Sequence, residues 1–248
     1  MTSAWIVIPT YNEAENLRSL VAAVRTAMAG APSVACTILV VDDNSPDGTG
    51  RIAERLADTH PDVQVLHRRS KAGLASAYVA GFRRALAADA DFVFEMDADF
   101  SHDPADLPRL LEAARGDADV VLGSRYVAEG GVDGWSLDRR LLSRAGGWYA
   151  RAVLGSSIRD LTGGFKVFRR AALEAIELET LASQGYSFQV ETTYRAIRAG
   201  LRVVEVPIVF ADRRVGESKM SGAIVAEAAL RVPLLRLSGG GRNRSYTF

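Results

Sequence analysis

With 248 residues, 48% of them hydrophobic, the chain has the length for one large domain or two small ones and the apolar content for a sizeable core. Thirty Lys and Arg balance thirty Asp and Glu, so no global charge selects nucleic acid as a partner. A single cysteine, Cys36, excludes an internal disulfide, fits a reducing cytoplasm and reads as a small core residue.

In chain order, Trp5 to Ile8 is an apolar run stopped by Pro9 and predicts a strand. Thr10-Tyr11-Asn12-Glu13 has the form of a capping box, opening a helix to about residue 29 with Leu17, Leu20, Val21 and Val24 on one face. Residues 37–41 predict a strand that ends at Asp42-Asp43, and Asn44-Ser45-Pro46-Asp47-Gly48 leads into a helix through Leu56. A strand at 63–66, a helix over 73–88, a strand at Phe92, a helix over 104–114 and a strand at 119–122 follow. This alternation predicts an α/β fold, a mostly parallel central sheet with helices on both faces. Further on, residues 129–134 are glycine-rich and predict a mobile loop. A helix over 141–154, a strand at 165–168, a helix over 186–199 and a strand at 202–206 come next. Residues 223–237 read as an amphipathic helix kinked near Pro233, and 238–248 as a disordered tail. No basic segment followed by an apolar run opens the chain, and no apolar run reaches about 18 residues. Neither a signal peptide nor a membrane-spanning helix is expected, so membrane contact would be peripheral.

The most informative segment is Glu95-Met96-Asp97-Ala98-Asp99-Phe100-Ser101-His102-Asp103-Pro104. It places two carboxylates one residue apart where a strand gives way to a loop, with Ser101 or Asp103 as N-cap and Pro104 at the first helical position. In open α/β sheets ligands bind at such strand ends. Asp97 and Asp99 can share one hard divalent cation, which can hold a diphosphate; the bland alternative is a polar turn capping a helix. Glu13 and the pair Asp42-Asp43 follow two other predicted strands, so a parallel sheet would gather three acidic clusters along one edge. Helix capping explains each cluster singly, but not why two of them fall at strand ends.

Basic side chains offer the complement. From Arg139 to Arg170 eight Arg and Lys face one acid, Asp160, which suggests a local anion partner. Arg125, Arg139, Arg140, Arg213, Arg214 and Lys219 are the candidates for neutralising phosphate; by position alone Arg125 reads equally as a surface arginine, and Arg213 to Lys219 as a mobile basic lid or a solvated loop. Gly-x-Gly-x-x-Gly does not follow the first strand and no Walker loop occurs, against NAD and ATP-hydrolysis readings. His60, His67 and His102 are too scattered for zinc, and there is no Gly-x-Ser-x-Gly elbow.

At this point the residues resemble a known family. Pro9-Thr10-Tyr11-Asn12-Glu13, Val41 to Thr49, Met96 to Pro104, Gly123-Ser124-Arg125-Tyr126, Thr162-Gly163-Gly164-Phe165-Lys166, Gly185 to Gln189 and Gly216-Glu217-Ser218-Lys219 occur in that order. Together they are similar to family 2 glycosyltransferases of GT-A fold, and more narrowly to polyprenol-phosphate (dolichol-phosphate) mannose synthases. The resemblance implies a single catalytic domain over 1–237, with a nucleotide-binding half at 1–123, an acceptor-binding half at 124–222 and the tail helix at 223–237. It implies that Pro9, Tyr11, Glu13, Val41 and Asp43 line the nucleoside pocket of GDP. Asp97, Ala98 and Asp99 would meet ribose, diphosphate and Mg²⁺ or Mn²⁺, with Ser101 standing where some relatives carry a glutamine metal ligand. Arg125, Arg139 and Ser143 would meet the lipid phosphate, and Arg213 and Lys219 would close over the donor diphosphate. Asp97, Asp99 and Arg125 are then the expected catalytic set.

The implied reaction is inverting, metal-dependent transfer of mannose from GDP-mannose to a polyprenyl phosphate, on the cytoplasmic face of the membrane. The phosphate acceptor is already ionised near neutral pH and needs no general base. A separate membrane-anchoring protein is one way to hold the enzyme at the bilayer. The alternatives are glucosyl or N-acetylglucosaminyl transfer to the same lipid, or a non-catalytic sugar-nucleotide sensor.

Overall fold

The computed structural model of the protein describes residues 2–183, 185–212 and 230–237. Seven strands form one sheet in the order β3-β2-β1-β4-β7-β5-β8, where β1 is Thr2–Thr10, β2 Val34–Asp42, β3 Val63–His67, β4 Phe92–Glu95, β5 Val120–Ser124, β7 Lys166–Arg169 and β8 Val203–Pro207. All neighbours run parallel except β7, which lies antiparallel between β4 and β5. Two further short strands, β6 (Gly131–Val132) and β9 (Val209–Phe210), pair with each other.

The strands read as continuous apolar runs because both faces of the sheet are covered. Along β1, Ala4, Ile6 and Ile8 enter the core beneath α1 (Leu17–Met28), α2 (Thr49–Thr59) and α4 (Leu107–Arg115). Trp5 and Val7 point the other way, into a core shared with α3 (Leu74–Ala87), α5 (Leu137–Leu154), α6 (Arg170–Ala175) and α7 (Gly185–Arg198). Helix α3 sits so close to β1 that a Cβ on Gly81 would lie 2.3 Å from Val7 Cγ1, so the position requires glycine.

Four expectations from sequence need correction. The Thr10–Glu13 capping box does not form. Thr10 stays in β1, paired with Asp42, its Oγ1 3.4 Å from Asp42 Oδ1, and Asn12 turns the chain with φ of 60°. Helix α1 therefore starts only at Leu17. Residues 129–134 are not wholly loop, because β6 is recruited by β9 almost eighty residues away. Helix α5 begins at Leu137 and turns Gly147, Ala150 and Leu154 inward, leaving Leu137, Leu141, Leu142 and Trp148 exposed. Cys36 is only partly buried, although that burial, aided by the nearby Asp62 charge, pushes its thiol up to about 12. Residues 230–237 are helical; the remainder of the predicted tail helix and 238–248 lie outside the described residues.

Candidate active site

The parallel strands β1, β2 and β4 end along one edge, and their following loops bring three acidic groups to one cleft. From the first two loops come Pro9, Tyr11, Glu13 and Asp43; from the third come Asp97, Ala98, Asp99, Ser101 and His102. The later half of the chain adds Arg125, Trp135, Arg139, Thr162, Gln189 and Phe210.

On the acidic side each carboxylate is already oriented. Asp43 accepts from Arg68 at 2.7 Å and from the backbone N–H groups of Ala72 and Gly73, which fixes the entry to α3. Glu13 Oε2 accepts from Asn16, and the Glu13 N–H donates to Thr49. Asp97 accepts from the Tyr78 hydroxyl at 2.9 Å. Asp99 Oδ1 accepts from both the N–H and the hydroxyl of Ser101, at 3.0 and 2.6 Å. Of the two N-cap candidates, Asp103 is the one used, accepting from Ala105 N–H with Pro104 next in the chain. Lys71 lies 3.7 Å above the Tyr11 ring, adding a cation to this side.

A hard divalent cation fits the Asp97–Asp99 loop by donor chemistry, since two carboxylates and a hydroxyl are all oxygen donors. Among the described residues no group of three or more His, Cys, Asp or Glu gathers to make a complete metal cage. A cation there would thus draw its remaining ligands from a substrate or from water, the usual manner of Mg²⁺ with phosphates.

Arg125 sits at the end of β5 and is buried, not the surface arginine its position alone allows. Its guanidinium forks onto Asp160 with two bonds of 2.7 Å and reaches Thr162 at 2.8 Å. Burial pushes Asp160 up, but the Arg125 charge and hydrogen bonds outweigh it and hold the carboxyl below its ordinary range. Arg139 stacks on Trp135, 4.1 Å from the ring, and pairs with Asp212 at 2.9 Å. Ser143 takes the Tyr126 hydroxyl at 2.6 Å but does not line the cleft. Val41 is likewise off the lining, its side chain packed in the core. Arg213, Arg214 and Lys219 lie outside the described residues.

Several lining residues carry no mark in the sequence. His102 Nδ1 accepts the Asp97 N–H at 3.1 Å, so the neutral ring holds its proton on Nε2. The ring stacks on Phe165, and burial lowers its pKa and keeps it neutral. Gln189 is held from below by Lys166, which donates to its side-chain and backbone oxygens and lies 3.5 Å from the buried Glu95. Burial, opposed by Lys166, raises Glu95 to about 7; burial, opposed by Glu95, lowers Lys166. The usable signals were the adjacency of His102 to the Asp97–Asp99 pair and the place of Gln189 at the end of the Gly185 to Gln189 motif.

A seven-stranded doubly wound sheet with an acidic strand-end loop facing basic residues is the architecture of a GT-A type fold. A model described as Glycosyl transferase family 2 matches residues 5–177, and the chain belongs to that family. The chain is 49% identical over 226 residues to an undecaprenyl-phosphate mannosyltransferase of Micrococcus luteus, covering 91% of this chain and 90% of that one. It is 50% identical over 228 residues to a polyprenol monophosphomannose synthase of Mycolicibacterium smegmatis, covering 92% and 84%. Among solved structures it resembles glucosyl-3-phosphoglycerate synthase from Mycobacterium tuberculosis with Mn²⁺, UDP-glucose and phosphoglyceric acid. That match has a TM-score of 0.66 at 18% identity over 98% of this chain and 81% of that one. Mannosyl-3-phosphoglycerate synthase from Rubrobacter xylanophilus gives 0.66 at 20% identity, over 100% and 77%. These two likenesses bear on the fold.

Proposed function

We propose that this glycosyltransferase moves mannose from GDP-mannose to a polyprenyl monophosphate, inverting the anomeric carbon and giving polyprenyl phosphate β-mannose and GDP. The observation that carries the reading is the cleft itself, with Asp97 and Asp99 on one loop and Arg125 and Arg139 on the opposite elements. Near-half identity to two polyprenol-phosphate mannosyltransferases supports the substrates.

The acidic side takes the donor. Tyr11, Glu13 and Asp43 meet the nucleoside, and Ala98 with its flanking aspartates meets ribose and diphosphate. Arg213 and Lys219 are assigned to the donor diphosphate by family resemblance alone. Asp97 and Asp99, with Ser101 as the weaker oxygen, would hold Mg²⁺ or Mn²⁺, whose Lewis acidity stabilises charge on departing GDP. The basic side takes the acceptor. Arg139 and Arg125 neutralise and aim the lipid phosphate; Ser143, bonded to the Tyr126 hydroxyl, is assigned to that phosphate by family resemblance alone. One phosphate oxygen attacks the anomeric carbon as the bond to GDP breaks on the far side. A phosphate monoester is largely dianionic at neutral pH, so catalysis rests on positioning two anions.

The lipid requires a surface. Leu141 and Trp148 are 68% and 71% exposed on α5, the helix that carries Arg139, Arg140, Arg144 and Arg151. The helical residues 230–237 expose Leu230, Leu234 and Leu237 and are tied to the end of α5 by Arg236, which donates to Val153 O. No helix among the described residues is long and apolar enough to cross a membrane. Exposed aliphatic and aromatic side chains beside arginines suit the anionic cytoplasmic leaflet. Incubation with radiolabelled GDP-mannose and a short polyprenyl phosphate tests the reading. Mannosyl lipid is expected; preference for another sugar nucleotide, or no transfer with metal present, would overturn it.

A further inference from the structure

The part of the cleft built by Trp135, Arg139 and Phe210 holds two hydrogen-bond donors without acceptors. Trp135 Nε1 and Arg139 Nε are both buried, and neither has a hydrogen-bond partner among the described residues. Trp135 is 6% exposed and lines the cleft, with Phe210 against its edge at 5.5 Å. The Arg139 guanidinium covers its face at 4.1 Å, and the Arg125 guanidinium stands 5.7 Å away. A buried N–H without an acceptor carries an uncompensated desolvation cost, and native proteins leave few of them. Two such donors on residues that pack against each other at a ligand cleft call for oxygen supplied by the ligand. Two guanidinium groups at the same spot select an anionic oxygen.

Resting on the function proposed above, we infer that Trp135 positions the acceptor. Its indole N–H, together with Arg139 Nε–H, donates to phosphate oxygens of the polyprenyl monophosphate. Access to these atoms comes from Arg139 leaving Asp212. That pair is half-exposed on the Asp212 side, with side chains 18% and 42% exposed, and partly screened pairs of this kind contribute little. Once turned, the guanidinium follows the phosphate and the indole edge opens beneath it. The indole brings no charge. It contributes direction, because Phe210 packs against the ring at 5.5 Å and the indole can offer its one proton along one line.

A phosphate oxygen could also come from the donor diphosphate, so the test separates the two sources. Trp135→Phe deletes the N–H and keeps an aromatic ring. Binding of a short-chain prenyl phosphate and of GDP is followed by tryptophan fluorescence, with calorimetry as the second measure. Wild type should change emission with prenyl phosphate. Trp135→Phe should lose that change and bind prenyl phosphate roughly tenfold more weakly, the scale of one hydrogen bond to a charged group, with GDP affinity unchanged. Arg139→Lys, which keeps the charge but lacks Nε–H, should also weaken prenyl phosphate and spare GDP. Equal prenyl phosphate affinity in Trp135→Phe overturns the inference and leaves the proposed function standing. An emission change with GDP alone overturns the acceptor assignment. A wild-type protein that binds no prenyl phosphate overturns both.

Discussion

Replacing Asp160 by asparagine should destabilise the fold by several kcal/mol. Asp160 is fully buried and accepts the Arg125 N–H at 3.0 Å, its Nε and a terminal nitrogen at 2.7 Å each, and the Thr162 hydroxyl at 3.2 Å. The two side chains are 6% and 0% exposed, so solvent screening gives no discount. Asp160→Asn leaves one oxygen to accept and turns an NH₂ toward the Arg125 N–H groups, which only donate. Removing one partner of a buried pair costs about 3–5 kcal/mol, because the other charge is left without compensation. At roughly 2–4 °C per kcal/mol for a domain of this size, the melting temperature should fall by about 6–20 °C. Urea unfolding at pH 7 measures the loss directly, with an unchanged slope confirming that the same surface unfolds. The pH dependence has a fixed sign. Asp160 has its folded pKa held below 3.8, so its stabilisation is complete above 3.8 and is lost as pH falls through the lower folded value. The gap between wild type and Asp160→Asn should therefore narrow in acid. A loss under about 1 kcal/mol at pH 7, or a gap that does not narrow, would refute the picture of a locked Arg125.

Asp99→Asn should abolish transfer while circular dichroism and melting change little; near-normal turnover with Mg²⁺ or Mn²⁺ present would remove Asp99 from the metal site. Chelation should stop wild-type turnover, and adding either ion back should restore it. Cys36, its thiol raised to about 12, should label slowly with iodoacetamide at pH 8 in the folded protein and readily after unfolding, so equal rates would contradict its burial. Vesicles rich in anionic lipid should sediment the protein, less so as salt rises. Leu141→Glu with Trp148→Glu should weaken that binding without loss of fold, since both side chains already face out; unchanged sedimentation would dismiss α5 as the docking face.

The sequence was legible where one local rule sufficed. Buried parallel strands show as uninterrupted apolar runs, which is why β1, β2 and β4 and the acidic groups at their ends could be placed in advance. Where distant residues compete, the local rule failed. Thr10 has the neighbours of an N-cap, but pairing with Asp42 keeps it in the sheet. Periodicity marked Leu141, Leu142 and Trp148 as apolar and left open whether they face core or solvent; the small residues Gly147 and Ala150 decide it, by bringing the other side of α5 inward. Trp135 and the Arg125–Asp160 fork were not legible, and Gln189 showed only as the end of the Gly185 to Gln189 motif, because each acquires its meaning from a partner on another element. The Trp135–Phe210 contact depends on a two-residue strand pair that no periodicity can reveal.

The protonation state of the cleft bears on which acceptor it suits. Asp43 is tied to Arg68 and two backbone N–H groups. His102 Nδ1 is occupied by the Asp97 N–H, and burial keeps the ring neutral. Burial, and then the Asp97 charge, raise Tyr78 well above its ordinary value, so its hydroxyl stays protonated and donating. None of these three groups stands ready to take the proton of an acceptor hydroxyl. A phosphate monoester needs none, since its second ionisation near pH 6 supplies the nucleophile beforehand. With subsaturating acceptor, kcat/KM for the lipid should therefore rise with pH through about 6 and level off above it. The rise should follow the acceptor, moving to higher pH when the phosphate is replaced by a less acidic methylene phosphonate analogue. A profile that stays put when the acceptor pKa is changed would mean that a protein group supplies the base, and the assignment of an ionised acceptor would fall.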